Sequence, residues 1–159
     1  MISTEEFREL MSYFATGVTI VAMNLDGKLY GLTVNSFTSV SLEPMLVLFC
    51  IKKGNKAHEM VSKAKTYSIN ILAEDQEELS IRFADPKLED VRFEGISYSL
   101  NEYGCPIIKG CIAYITCRKY LEYDGGDHTI FLCSVLGLKK GDDKPPLIFY
   151  RRGYRRIKT

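Results

Sequence analysis

GLTVNSFTSVSLEPMLVLFCI, residues 31–51, holds the pattern on which the fold turns. Its first part reads as extended chain, rich in β-branched and aromatic residues, and is ended by Pro44. Its second part, MLVLFCI (45–51), is a continuous apolar run of strand length. Between them stand Thr33, Asn35, Ser36, Thr38, Ser39 and Ser41, on both parities of the chain, and no charged residue occurs from Leu29 to Leu42. A solvated strand is the simple explanation, since Thr is a good strand former. A solvated strand more often carries charges, however. Small neutral hydroxyls and amides suit a bound polyol or phosphate, because each can donate to a phosphate oxygen or exchange bonds with a sugar. Backbone N–H groups of an irregular turn would complete such a cradle.

Working outward, strand patterns dominate. VTIVAMN (18–24) and KLYGLTVNSF (28–37) flank Asp26-Gly27, a strong hairpin signal. Upstream, Ser3-x-x-Glu6 fits a capping box, and Phe7, Leu10, Met11 and Phe14 share one helical face, with Gly17 as the expected stop. Downstream, KKGN (52–55) breaks the apolar strand and Asn55 can cap a helix to about Lys63. TYSINILA (66–73) alternates as a strand, DQEELSIRFA (75–84) reads as a short amphipathic helix, and PKLEDVRF (86–93) as a turn or short helix. SYSLN, GCIAYITCRKYLEYD and HTIFLCSVLGLKK return to strand, the last two separated by Gly125-Gly126. Hairpin-linked strands with few helices argue against alternating βαβ units. The expected fold is mainly β, an antiparallel barrel with short peripheral helices, in one domain spanning residues 1–159.

Composition narrows the functional classes. With 46% hydrophobic residues the chain is not disordered, and 21 basic against 20 acidic residues give no global field for nucleic acid or a membrane surface. The charge is uneven: residues 74–94 carry eight acids and three bases, and residues 139–159 eight bases and two acids. No basic leader or membrane-length apolar run is present. Five cysteines with no CxxC pair argue against zinc and a disulfide framework, and point to a reducing cytoplasm.

Several motifs remain. KKGNK places three lysines at a helix start, where free N–H groups and the dipole attract phosphate. Neither GxxxxGK[ST] nor GxGxxG occurs, so no P-loop or Rossmann site is supported. YDGGDHTIF (123–131) sets His128 beside a Gly-Gly turn, either as a solvated turn residue or at the edge of a ligand. His58, early in a charged helix, is expected to be exposed. No Ser-His-Asp or Cys-His arrangement suggests a nucleophile, and Cys50, Cys111, Cys117 and Cys133 lie in apolar strands. The tail YRRGYRRIKT (150–159) mixes tyrosine with arginine, as a nucleic-acid patch does, but no nucleic-acid motif accompanies it.

Taken together these strings resemble the flavin reductase-like family of FMN-binding split barrels. The likeness starts at FRELMSYFATGVTIVA and passes through the opening stretch, TYSINILAEDQEELSIRFA, DVRFEG and GCPIIKGCIAYITC. It closes with GDHTIFLCSVLGL and PLIFYRRGYRR. TVNSFTSVS and GDHTIF are its most diagnostic pieces. The resemblance implies a homodimeric six-stranded antiparallel split barrel that binds FMN, or FAD, near the subunit interface. It implies hydride transfer from NADH or NADPH to flavin N5, with electrons passed to a monooxygenase, a ferric chelate or another acceptor. A flavoredoxin-like FMN carrier that takes electrons from a protein donor is the alternative.

By the same resemblance Thr33, Val34, Asn35 and Ser36 would line the isoalloxazine and ribityl chain. Ser39, Val40 and Ser41 would approach the phosphate. Cys50 and Ile51 would offer backbone contacts, Asn55 and Lys56 would help hold the phosphate, and Phe83 would pack near the flavin. His128 would serve the nicotinamide, and Tyr150 would close the site. The chain has Leu132-Cys133-Ser134-Val135 where the family often has Ile-Gly-Glu-Val, a change that bears on pocket shape. Protein-derived nucleophiles are not needed, because the flavin supplies the electronics.

Overall fold

Residues 1–158 are described in a computed structural model; Thr159 lies outside the described residues. In chain order the elements are α1 (Thr4–Met11), β1 (Thr16–Gly17), β2 (Thr19–Leu25), β3 (Lys28–Val34), β4 (Thr38–Leu42) and β5 (Met45–Lys52). There follow α2 (Lys56–Lys63), β6 (Thr66–Ile71), α3 (Glu77–Arg82) and a 3-10 turn at Pro86–Leu88. The chain closes with β7 (Tyr98–Leu100), β8 (Pro106–Ile108), β9 (Ala113–Gly125), β10 (His128–Lys140), β11 (Ile148–Tyr150) and β12 (Gly153–Arg155).

Local chemistry explains many boundaries. Ser3 accepts a hydrogen bond from the Glu6 amide at 3.1 Å and so starts α1. Asn55 does the same for α2 through the His58 amide, at 2.9 Å. Asp26 and Gly27 both take positive φ, 52° and 93°, which matches the twist of the β2–β3 hairpin. Glu43–Pro44, a cis peptide, turns β4 into β5. Two expectations fail here. The first helix stops at Met11, not at Gly17, because Thr16 and Gly17 pair with Phe149 and Ile148 of β11. The extended run 28–37 breaks after Val34, and residues 35–37 belong to no strand.

That break closes the barrel. The main sheet is antiparallel in the order β3-β2-β6-β9-β10-β5-β4, seven strands where six were expected. The added strand is β4, a short edge strand that the sequence merges with β3. Laid flat, seven strands would hold β3 and β4 about 29 Å apart. Yet Val34 ends one edge and Thr38 begins the other, four Cα steps that reach about 15 Å at most. The sheet must therefore curl until its edges approach.

Curling gives one core inside and another outside. Met23, Tyr30, Phe49, Tyr67, Ile69 and Phe131 fill the interior, with α2 plugging one side through Val61. Ile20, Ala22, Leu72, Phe83, Ile108 and Leu147 form a second cluster on the outer face. β2 is thus buried on both faces, which is why its sequence is a continuous apolar run and does not alternate. Each large aliphatic side chain buried this way contributes about 1.5–3 kcal/mol.

Candidate active site at the barrel split

The hydroxyl-rich stretch meets β5 at the split. β4 pairs with β5 only as far as Thr38 opposite Leu48, so Cys50 lies beyond its reach. Ser36 takes the vacant place: its Oγ accepts from the Cys50 amide at 2.9 Å and donates to the Cys50 carbonyl at 3.0 Å. On the other side of β5, Cys50 stands opposite Ile130 and Lys52 opposite His128. Period-2 alternation puts Cys50, Lys52, Ile130 and His128 on the outer face of the barrel, since Phe49, Ile51 and Phe131 point inward. Ser36, Cys50 and His128 therefore share one surface.

Beside Ser36 opens a cavity of about 910 Å³, bounded by α1, β1, the 35–38 connection and β11; Cys50 and His128 do not line it. Its floor is apolar, with Val18, Ile71 and Phe149, and its rim carries Asn35, Ser36 and Arg152. Asn35 donates to the Thr16 hydroxyl at 3.3 Å. The C-terminal β11–β12 hairpin forms the far wall. Its turn residues Arg151 and Arg152 both have positive φ, 51° and 61°, a conformation that costs non-glycine residues energy and often marks functional sites. The hairpin is tied to the N-terminal helix by Arg152 to Glu5 at 2.7 Å, by the Arg151 amide to the Ser12 carbonyl at 2.8 Å, and by the Arg151 guanidinium over the Tyr13 ring at 4.2 Å. Tyr150 sits half-buried at the end of β11.

The electrostatics are mild. His128 Nδ1 bonds the Asp127 carboxylate at 2.8 Å, and that contact holds the Asp127 carboxyl below its usual range. Burial raises the Cys50 thiol, only partly offset by Ser36, which disfavours the nucleophilic thiolate. Among the described residues there is no cluster of metal-ligating side chains, and no helix is long and apolar enough to cross a membrane.

The remaining expected residues scatter. Ser39 and Val40 are exposed on edge strand β4, with Ser41 half-buried beside them. Val34 and Ile51 are buried in the interior core, leaving only their backbones to face a ligand. The Thr33 hydroxyl is spent on the Ser80 carbonyl at 2.7 Å. Phe83 is fully buried beneath Gly31 and edge-on to Phe93 at 5.1 Å, so it offers no free face. Asn55 caps α2, and the Lys56 ammonium is bonded to Asp90. Asp90 belongs to the acidic segment after α3. That segment is strapped down by Arg82, which donates to the Arg92 carbonyl at 2.8 Å, and by Arg92, which donates to the Gly31 carbonyl at 2.8 Å. His58, expected to be exposed, is half-buried and shares a hydrogen bond of 2.7 Å with Thr129. Sequence reasoning missed Thr16 and Arg152. Their one signal was the positioning of Thr-Gly and Arg-Arg-Gly at the two chain ends.

A family model described as "Flavin reductase like domain" matches residues 11–158. The chain belongs to that family. Flavin reductase from Pseudomonas putida is 38% identical over 96% of this chain and 89% of its own length. The reductase component of 4-hydroxyphenylacetate 3-monooxygenase from Thermus thermophilus is 36% identical, over 96% of both chains. Among solved structures, the NADH:FAD oxidoreductase SgcE6 of Streptomyces globisporus, in complex with NAD and FAD fragments, superposes with a TM-score of 0.92. It is 33% identical, covering 99% of this chain and 96% of its own. The split barrel is therefore that of a flavin reductase-like enzyme, and the protein is an oxidoreductase of that type.

Proposed function

We propose that the protein is an NAD(P)H-dependent flavin reductase that takes FMN, or FAD, as its flavin and hands the electrons on to a monooxygenase or another acceptor. The observation that carries this reading is the Asn35 and Ser36 rim of the large cavity, with Ser36 bonded to Cys50 on the strand pair that carries His128. A mostly apolar hollow with a few hydroxyl and amide groups at its rim suits a tricyclic ring with a polyol tail. The similar proteins named above support it.

In this reading Asn35 and Ser36 hold the ring edge and the start of the ribityl chain, with the Cys50 backbone kept in place by Ser36. Ser39 and Ser41 face the ribityl phosphate from β4. Lys56 joins them only after exchanging Asp90 for the phosphate. His128, oriented by Asp127, positions the nicotinamide, and Tyr150 bounds the site from the C-terminal hairpin. When bound, the flavin supplies the redox chemistry by accepting hydride from the nicotinamide. The residues hold the two rings in register and exclude water. The free cysteines fit a reducing cytoplasm.

We read the assembly as a homodimer. Phe7 and Leu10 of α1, and Phe14 just beyond it, are apolar yet 63–72% exposed, and Leu42 and Met45 at the β4–β5 turn are also uncovered. A second copy would bury both regions and add a wall to the cavity.

The test follows NADH and NADPH oxidation by the purified protein, with and without FMN or FAD. Turnover that rises with free flavin supports the reductase. Bound flavin with neither nucleotide consumed overturns it in favour of an electron carrier fed by a protein donor.

A further inference from the structure

We propose that a polar hollow at the far end of β10 binds a phosphate-bearing small molecule through Lys109, Lys139 and Lys140. The hollow measures about 380 Å³, at the small end of ligand sites, and lies between β7, the β8–β9 turn and the last residues of β10. It shares no lining residue with the cavity at the split. The two hollows are neighbours across the sheet, since Ile71 of the cavity pairs with Ala113 and Ala113 with Lys140, about 10 Å over two strand spacings. This inference does not depend on the flavin reading.

Of the eight bases from Lys139 onward, three are ion-paired: Arg152 with Glu5 at 2.7 Å, Arg156 with Glu74 at 3.2 Å and Lys144 with Asp75 at 2.9 Å. Among the described residues Lys109, Lys139 and Lys140 have no ion-pair partner, yet all three line one hollow. Lys139 finds only the face of Tyr114, its ammonium 6.0 Å from the ring centre. The one carboxylate in the lining, Asp142, already faces Lys144 at 3.5 Å. Three like-charged residues on one lining repel, and a multivalent anion offsets their charge.

The rest of the lining fits a phosphate. Ser97 and Ser99 line the same hollow, and no hydrogen bond within the described residues engages either hydroxyl. Both are free to donate to phosphate oxygens, while lysine supplies the point charge. Tyr114 and Ile107, nearly buried, make a firm floor, and Tyr98, fixed edge-on against Phe93 at 5.4 Å, makes a wall.

Isothermal titration of the whole protein with inorganic pyrophosphate tests the site. Saturable binding is expected, and the variant carrying K109Q, K139Q and K140Q should lose about tenfold or more in affinity. The three side chains are exposed, so the thermal midpoint and flavin-dependent NADH oxidation should be unchanged. Competition identifies the source: displacement by NADH points to the diphosphate of a dinucleotide, and displacement by phosphomonoesters alone to a free phosphorylated metabolite. Absence of saturable binding at millimolar pyrophosphate overturns the proposal. So does full binding by the triple variant.

Discussion

Ser36 bonds to Cys50 as one strand residue bonds to another. Its hydroxyl accepts the Cys50 N–H and donates to the Cys50 carbonyl, at 2.9 and 3.0 Å. A side chain thus satisfies backbone groups that β4 is too short to reach, and it does so where the two edges of the sheet come together. The most hydroxyl-rich stretch of the chain is therefore partly structural. Ser36→Ala leaves both Cys50 groups to water, and should cost about 1–2 kcal/mol of stability. Urea denaturation measures it; an unshifted midpoint would show that the closure rests on other contacts. Flavin affinity should fall with it.

Gly31 is the point of closest approach between β3 and the outer core. A Cβ there would lie 2.9 Å from Phe83 Cε2 and 3.2 Å from Phe93 Cε2. Both rings are packed against each other and cannot retreat freely. Gly31→Ala should destabilise the fold by about 1–3 kcal/mol through overpacking. A thermal melt equal to that of the native protein would contradict it.

His128→Ala should raise KM for NADH or NADPH severalfold while flavin affinity stays near native, because His128 lies on the surface next to the split and not within the hydroxyl-rich stretch. Steady-state kinetics paired with flavin fluorescence titration separates the two effects. Unchanged kinetic constants would remove His128 from the site.

The exposed apolar side chains on and just after α1 make a prediction about assembly. Leu10→Glu with Phe14→Asp should leave the monomer folded, since neither side chain packs into the core, and should convert a dimer to a monomer. Light scattering on the eluting protein decides it. A native protein that is already monomeric would refute the dimer.

Acid should loosen the clasp between the two chain ends. The Arg152 guanidinium holds the Glu5 carboxyl below its ordinary 4.5 in the folded protein. A carboxyl depressed on folding contributes stability fully above its unfolded value, and that contribution is lost as pH falls through the folded value. Amide exchange across residues 4–11 should therefore be slow at neutral pH and, after correction for intrinsic rates, less protected well below pH 4.5. Arg152→Gln should show the weaker protection at both.

Much of this was legible from short stretches of sequence. The Asp26-Gly27 turn and the Ser3 and Asn55 caps depend on residues a few positions apart, and all are found. The run 28–37 was harder, because Val34, Phe37 and Val40 continue a strand-like composition through a break that no glycine or proline marks. His58 looked exposed among lysines, yet α2 turns it toward Thr129, a contact 71 residues away. Phe83 looked available on a short helix, yet the missing side chain of Gly31 lets its ring sink completely.

Period and turn chemistry settled that the chain is an antiparallel β protein with short capped helices, because those preferences act between near neighbours. They could not say that β3 and β4, three linking residues apart, are the two opposite edges of one sheet. Alternation tells which residues share a face, but only closure of the sheet decides which face is inside and which side chains meet across the split. Ser36, Cys50 and His128 become one surface for that reason alone: the curled sheet brings its edges together, and the contacts that hold them span many residues of chain.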